Sequence, residues 1–127
     1  MKRPTHINAL GDIPWGSHCC LLYDSADLLA TVLTDFFKAG LEENEYCLWM
    51  TSGTISEQYA RQALSRAEQS MEKGGRRGCI EILPVSDFYA SSDAFHAERL
   101  IKSWLQYAEK ALASGYEGFR LAGDPFV

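Results

Sequence analysis

The stretch Gly16-Ser17-His18-Cys19-Cys20-Leu21-Leu22-Tyr23-Asp24-Ser25 decides the fold class. Cys19 to Tyr23 is a continuous apolar run that is too short for a helix and does not alternate with polar residues, so it predicts a central strand covered on both faces. Asp24 and Ser25 follow at once, and both are residue types that cap helices. Apolar residues then recur at helical spacing, at Leu28, Leu29, Val32, Leu33, Phe36 and Phe37. A strand that leads directly into a helix is where open α/β sheets bind ligands.

The turn between this strand and this helix lacks the residues of a nucleotide site. Nucleotide-binding units of this kind have a glycine-rich turn with a lysine for phosphate. Here the turn is Tyr23-Asp24-Ser25, and neither Gly-Lys-Thr nor Gly-Lys-Ser occurs in the chain. The position of a phosphate site is therefore predicted without its chemistry.

The rest of the chain repeats the strand–helix order. Three further apolar runs predict strands at Tyr46–Thr51, Cys79–Val85 and Phe119–Ala122. The first helix is expected to end near Asn44, with Gly40 as a rival end, and its neighbours Glu42 to Glu45 are expected to form an exposed turn. A second helix is predicted from a capping box at Thr54-Ile55-Ser56-Glu57 to Gly74-Gly75.

A third helix, capped by one of Ser91, Ser92 and Asp93, is expected to run to Ser114 and to end at Gly115. Its expected buried residues are Ala97, Leu100, Ile101, Trp104, Leu105, Ala108 and Leu112. Trp49, Trp104 and Phe88 are interpreted as core residues. Connections of this length favour a mostly parallel sheet between two helical layers, a three-layer αβα fold.

Length and charge restrict the class of protein. The 127 residues predict a single domain, 1–127, in which 1–15 form an N-terminal arm anchored by Ile7, Leu10, Ile13 and Trp15. The net charge of −5 argues against nucleic acid as a partner. No apolar run approaches the roughly 20 residues of a membrane helix, and no signal peptide is recognised, so a cytoplasmic location is expected. Phe126-Val127 follow a strand end without a covering element, which suggests an absent C-terminal part.

The cysteines are interpreted as structural. The chain has 4 cysteines, Cys19, Cys20, Cys47 and Cys79, and no Cys-x-x-Cys pair. All lie in apolar runs, so buried reduced thiols are expected. A metal or redox site with the adjacent His18 is the alternative, although neighbouring residues of a strand point to opposite faces. No metal site is predicted.

Four segments resemble the MEDS domain, the methanogen and methylotroph sensory domain named for DcmR, a dichloromethane-responsive regulator. They are Trp15–Asp24, Phe36–Trp49, Glu81–Tyr89 and Gly115–Asp124. The resemblance implies a non-catalytic domain that senses small molecules such as hydrocarbon derivatives, without a cofactor. It also implies a histidine kinase, PAS or DNA-binding output segment, a degenerate RecA/KaiC-like fold, and further sequence after Gly123-Asp124.

A ligand pocket is predicted at the carboxyl edge of the sheet, because parallel strands align their ends. Its expected residues are Tyr23, Asp24, Thr51, Ser52, Tyr89 and Asp124. Aromatic walls with a few polar groups suit a small, mostly apolar molecule. Asp24 has a rival interpretation as the helix cap. His18 and Trp15 are expected at the opposite end, as a sensor or as contacts of the arm.

Three alternative functions stay open at this point. A RecA-like nucleotide-binding domain predicts affinity for ATP with magnesium. A dimerisation or docking module predicts an exposed apolar surface, and a homodimer is also compatible with the sensory interpretation. Metal or redox sensing predicts bound zinc or iron.

Overall fold

The chain forms an α/β domain in the computed structural model, which describes residues 2–69, 78–87 and 97–123. The strands are β1 (Lys2–Pro4), β2 (Asp12–Pro14), β3 (Tyr46–Thr51), β4 (Cys79–Pro84) and β5 (Phe119–Gly123). The helices are α1 (Ala26–Glu42), α2 (Glu57–Gln69) and α3 (Ala97–Ala113), and a 3₁₀ turn covers Val85–Asp87.

The central sheet is parallel, as predicted. Within the described residues its order is β4-β3-β5, so β3 is paired on both sides. The register places Thr51 opposite Pro84 and Met50 opposite Gly123, which aligns the carboxyl ends of the three strands. All six residues of β3 are buried, which confirms the prediction of a central strand at Tyr46–Thr51.

The side chains of β3 divide the core into two parts. Cys47 and Trp49 pack with residues of α1 and α2 in one cluster. Leu48 and Met50 pack with Trp104 and other residues in a second cluster, on the α3 side. Because successive side chains of a strand point to opposite faces, helices cover both faces of the sheet. The α/β class with helices on both faces is therefore confirmed.

The predicted first strand is wrong. Residues 19–23 do not form a strand, Cys19 and Cys20 are exposed, and Leu22 is 90% exposed. The same continuous apolar pattern is correct at Tyr46–Thr51, where strands pair on both sides. An apolar run becomes a buried strand only when neighbours satisfy its backbone and cover both faces. The run at 19–23 forms no such ladder within the described part of the chain.

The helix ends agree only partly with the predictions. Ser25 caps α1, and its hydroxyl accepts a hydrogen bond from the Leu28 amide at 3.1 Å. Asn44 has the predicted left-handed backbone, with φ of 57°, although α1 ends at Glu42. The predicted capping box of α2 is wrong, because the Ser56 hydroxyl accepts from the Tyr59 amide at 3.1 Å and takes the role expected of Thr54. The helix α3 ends at Ala113, and Gly115 just after it has the expected left-handed backbone, with φ of 92°.

The predicted burial of α3 is only half correct. Leu100 and Ala111 are buried, and Trp104 packs against the core. Ile101, Leu105 and Leu112, however, expose 52%, 59% and 61% of their surface. The predicted apolar face is wider than the surface that the sheet offers to it. The caps expected at 91–93, like Phe88 and Gly74-Gly75, lie outside the described residues.

The N-terminal arm is an antiparallel hairpin of β1 and β2, which the sequence pattern did not predict. Its expected apolar anchors are poorly buried, since Leu10 and Trp15 expose 39% and 42% of their surface. Arg3 and Thr5 are the buried residues instead. The arm is therefore fixed by polar contacts rather than by a hydrophobic plug.

Candidate functional site

The carboxyl edge of the sheet carries Thr51 and Ser52, two of the predicted site residues. Thr51 is 5% exposed, and its hydroxyl has no hydrogen-bond partner within residues 2–69, 78–87 and 97–123. By strand alternation it lies on the same side of β3 as Cys47 and Trp49, the side of α1 and α2. Ser52 is half-buried, and its hydroxyl accepts a weak hydrogen bond from the Thr54 amide at 3.4 Å. Among the described residues, the fully buried side-chain polar atom without a partner is Trp104 Nε1, so the Thr51 hydroxyl oxygen retains some contact with solvent. A hydroxyl with spare hydrogen-bonding capacity is a group that a ligand can use.

Tyr23 lies on this same side of the sheet. It is half-buried and packs against the cluster that contains Trp49, Ile55 and Ala122. The direction of α1 shows which edge of the sheet Tyr23 is near. The helix ends beside the start of β3, where the Glu45 amide donates to the Gly40 carbonyl. The beginning of α1, with the residues just before it, therefore points toward the carboxyl edge.

Asp24 is exposed and is not the cap of α1, because Ser25 has that role. No hydrogen bond or ion pair of its carboxylate occurs within the described part of the chain. Its rival interpretation as a helix cap is therefore wrong. The structure leaves the carboxylate in solvent two residues before α1.

The remaining predicted residues divide into two groups. Tyr89 and Asp124 lie outside the described residues. His18 is exposed, and Trp15 lies at the other end of the sheet, where an added Cβ on Gly118 would meet the indole ring at 2.2 Å. Trp15 also has the Arg3 guanidinium 4.9 Å from its ring centroid, so it contacts the arm.

A buried ionic cluster at the amino edge was missed by the sequence interpretation. Glu45, predicted in an exposed turn, is fully buried. Its carboxylate accepts hydrogen bonds from Arg120 Nε at 2.8 Å, from Arg120 Nη2 at 3.0 Å and from Arg3 Nε at 3.1 Å. We call these three residues the Glu45 cluster. Glu45 directly before one apolar strand and Arg120 inside another were the signals that could have indicated it.

The Glu45 cluster joins β5, α1 and the N-terminal hairpin to the residue that precedes β3. Arg120 also donates to the Phe36 carbonyl at 2.7 Å and to the Pro4 carbonyl at 2.8 Å, so it joins β5 to α1 and to the N-terminal hairpin. Its guanidinium lies 4.6 Å from the centroid of the Phe36 ring. Because its donors are used within the protein, we interpret this cluster as structural rather than as a ligand site.

A cleft of about 360 Å³ lies between α1 and α2. Its lining combines three alanines with larger or polar side chains: Ala30, Ala63, Ala67, Thr31, Thr34, Tyr59, Asp35 and Arg66. The Tyr59 hydroxyl donates to Asp27 at 3.1 Å, and this hydrogen bond raises the pKa of Tyr59. The cleft is open to solvent and offers a second surface to compare with the carboxyl edge.

Metal binding finds no support in the described residues. Within them no group of three or more His, Cys, Asp or Glu side chains could hold a metal ion. Cys47 is buried, Cys79 is half-buried, and Cys19 and Cys20 are exposed, which corrects the expectation that all four thiols are buried. In the same part of the chain, no helix is both long enough and apolar enough to cross a bilayer.

Comparison with known protein families assigns the chain to one of them. The family model named MEthanogen/methylotroph, DcmR Sensory domain matches residues 17–127, nearly the whole chain. The chain belongs to the MEDS family. The resemblance seen in the sequence is thereby confirmed, and this MEDS chain is a member of a family of sensory domains. Comparisons with curated proteins and with solved structures gave no match.

Proposed function

We propose that this MEDS chain is a non-catalytic input domain that binds a small, mostly apolar molecule at the carboxyl edge of its sheet. The membership of a sensory family supports the sensing role. Thr51 supports the place, because it lies at this edge and its hydroxyl has no described partner, so a ligand can supply a hydrogen bond to it. Tyr23 and Asp24, at the start of α1, would add an aromatic wall and a carboxylate.

The proposed ligand class is one-carbon and related hydrocarbon derivatives. Such ligands need an apolar surface with one or two polar groups, and they do not need the phosphate-binding residues that this chain lacks. Ser52, Tyr89 and Asp124 belong to the proposed site through their places after strands β3, β4 and β5. His18 is proposed only as an accessory sensor, since it lies outside this group.

Signalling would follow from a shift of populations. A ligand that fits one arrangement of the segments after the strands stabilises that arrangement by its difference in affinity. The output would be a histidine kinase, PAS or DNA-binding segment in the same protein, in the cytoplasm. The parallel sheet with helices on both faces also supports a distant RecA/KaiC-like origin without nucleotide chemistry.

A thermal-shift panel tests this function with methanol, dichloromethane, ATP with magnesium, and zinc as probes. A ligand of the folded state present at about ten times its Kd raises Tm by about 3–6 °C. We expect a shift with methanol or dichloromethane, and its loss in Thr51→Val and Asp24→Asn. Thr31→Val and Asp12→Asn are the matched controls, since both residues are exposed and lie elsewhere.

The other probes decide against the proposal if they act alone. A shift with ATP and magnesium only would favour a nucleotide-binding domain. A shift with zinc only, lost when Cys19 and Cys20 are replaced, would favour metal sensing. No shift with methanol, and none with dichloromethane up to its solubility limit in water, would contradict the proposed ligand class.

A further inference from the structure

One face of α3 is apolar and exposed. Four large apolar side chains in the described residues are more than half exposed, and three of them, Ile101, Leu105 and Leu112, are on α3. With Ala108 they lie within about 60° of arc, because α-helical residues are about 100° apart. We call these four residues the α3 stripe. Exposed apolar residues that gather on one helix face mark an interaction surface.

Within the part of the chain that the structure describes, Ile101, Leu105 and Leu112 of the α3 stripe stay exposed. The neighbouring face of the helix, with Leu100, Trp104 and Ala111, packs toward the sheet. The Tyr107 ring stacks on Phe119 at a centroid distance of 5.9 Å. The described elements therefore bury one half of the apolar arc of α3 and leave the other half exposed, where a partner can pack.

The charges beside the α3 stripe complement a second copy of the same helix. Lys102 and Glu109 lie on the same border of the stripe, and both are exposed. In an antiparallel pair of identical helices related by a two-fold axis, the same border of each copy faces that border of the other copy. When Ile101 lies opposite Leu112 of the second copy, Lys102 of each copy lies beside Glu109 of the other. Two ion pairs then form across the two-fold axis.

We propose that the α3 stripe is a homodimer interface in which two copies of α3 pack antiparallel. The border is mixed in charge and the chain is acidic, with a net charge of −5, so an anionic lipid surface is a poorer occupant. A pair of 17-residue helices is about 25 Å long and buries an area at the small end of protein interfaces. The dimer is therefore reversible and depends on concentration. This inference does not depend on the ligand proposed above.

Sedimentation equilibrium of the ligand-free chain, from about 5 μM to 1 mM, tests the proposal. We expect a monomer–dimer equilibrium that Leu105→Glu abolishes, with Tm close to that of the wild type because Leu105 is exposed. Lys102→Glu and Glu109→Lys should each weaken the dimer by about tenfold. Lys110→Glu is the control, because Lys110 lies about 180° from Ile101 on the same helix.

Mixing two variants tests the orientation. Positions 102 and 109 are both acidic in Lys102→Glu and both basic in Glu109→Lys, so each variant repels a second copy of itself and attracts the other variant. An equimolar mixture should regain the affinity of the wild type. A monomer at 1 mM would overturn the proposal, as would a dimer that Leu105→Glu leaves intact. A mixture that stays weak would overturn the antiparallel arrangement. None of these results bears on ligand binding, which the thermal-shift panel measures separately.

Discussion

The Glu45 carboxylate and the Arg120 guanidinium form a buried, two-point ion pair at 2.8 and 3.0 Å, although the residues are 75 positions apart in the chain. Glu45 stands directly before β3 and Arg120 is the second residue of β5. The pair therefore fixes the amino edge of the sheet. Arg3 adds the N-terminal hairpin to the same carboxylate.

Glu45→Gln should destabilise the fold by about 3–5 kcal/mol, because it removes the carboxylate that pairs with the buried Arg120 guanidinium and one of the carboxylates that pair with Arg3. Urea denaturation measures the change. Glu57→Gln is the control, since Glu57 pairs with Arg61 at the surface and its loss should cost less than about 1 kcal/mol. Equal effects of the two substitutions would show that the cluster contributes no more than a surface ion pair.

Gly40→Ala should destabilise the protein, although alanine is the better helix former by about 1 kcal/mol. An added Cβ would lie 2.8 Å from Cys47 Sγ and 2.9 Å from Arg120 Cδ, so the close packing of α1 on the sheet must yield. We expect a loss of about 1–3 kcal/mol in the free energy of unfolding. Gly53→Ala, where no atom lies within 4 Å of the added Cβ, should have a small effect. A stabilised Gly40→Ala variant would contradict this packing.

Alkaline pH should weaken the fold through Cys47 and Tyr46. Burial raises the pKa of the Cys47 thiol, as it does the pKa of the Tyr46 phenol, which a hydrogen bond with Glu81 raises further. An unfolded chain releases these protons at about pH 8.5 and 10, before the folded chain does. Stability is therefore complete below about pH 8 and falls above pH 9, by up to about 1.4 kcal/mol per pH unit for each group.

Denaturation of Cys47→Ala at pH 7, 9 and 10 isolates the thiol. Its fall in stability between pH 7 and pH 10 should be smaller than that of the wild type. The exposed pair replaced together, Cys19→Ala with Cys20→Ala, should keep the full pH dependence. An unchanged slope in Cys47→Ala would rule out the buried thiol as the cause.

Ser25→Ala should cost about 1 kcal/mol, because it removes the hydroxyl that accepts from the Leu28 amide. Asp24→Ala should change the free energy of unfolding by less than about 0.5 kcal/mol, since Asp24 makes no described contact. Thermal or urea denaturation compares the two. A larger effect at Asp24 would mean that its carboxylate belongs to the helix and is not free for a ligand.

The sequence predicted what depends on local pattern and failed where a distant partner decides. The run at Tyr46–Thr51 and the turn at Gly115 follow from apolar continuity and glycine chemistry. The run at 19–23 has the same apolar continuity, yet its state depends on a neighbouring strand. Glu45 is buried because Arg120 and Arg3 reach it, and these partners lie 75 and 42 positions away in the chain.

The candidate site was predictable only as a location. Aligned strand ends follow from a parallel sheet, so Thr51 at the edge could be derived. That Ser25 rather than Asp24 caps α1 could not, because both residue types favour the position. The sequence pattern also could not show that the sheet would cover only half of the apolar arc of α3.

The central claim, a small-molecule site at the carboxyl edge, is tested most directly by titrating the ¹⁵N-labelled chain with dichloromethane and with methanol while recording amide spectra. The account predicts saturable shifts at Tyr23, Asp24, Thr51 and Ser52, absent in Thr51→Val. Shifts confined to Thr31, Thr34 and Tyr59 in the cleft between α1 and α2, or no saturable shifts, would contradict it.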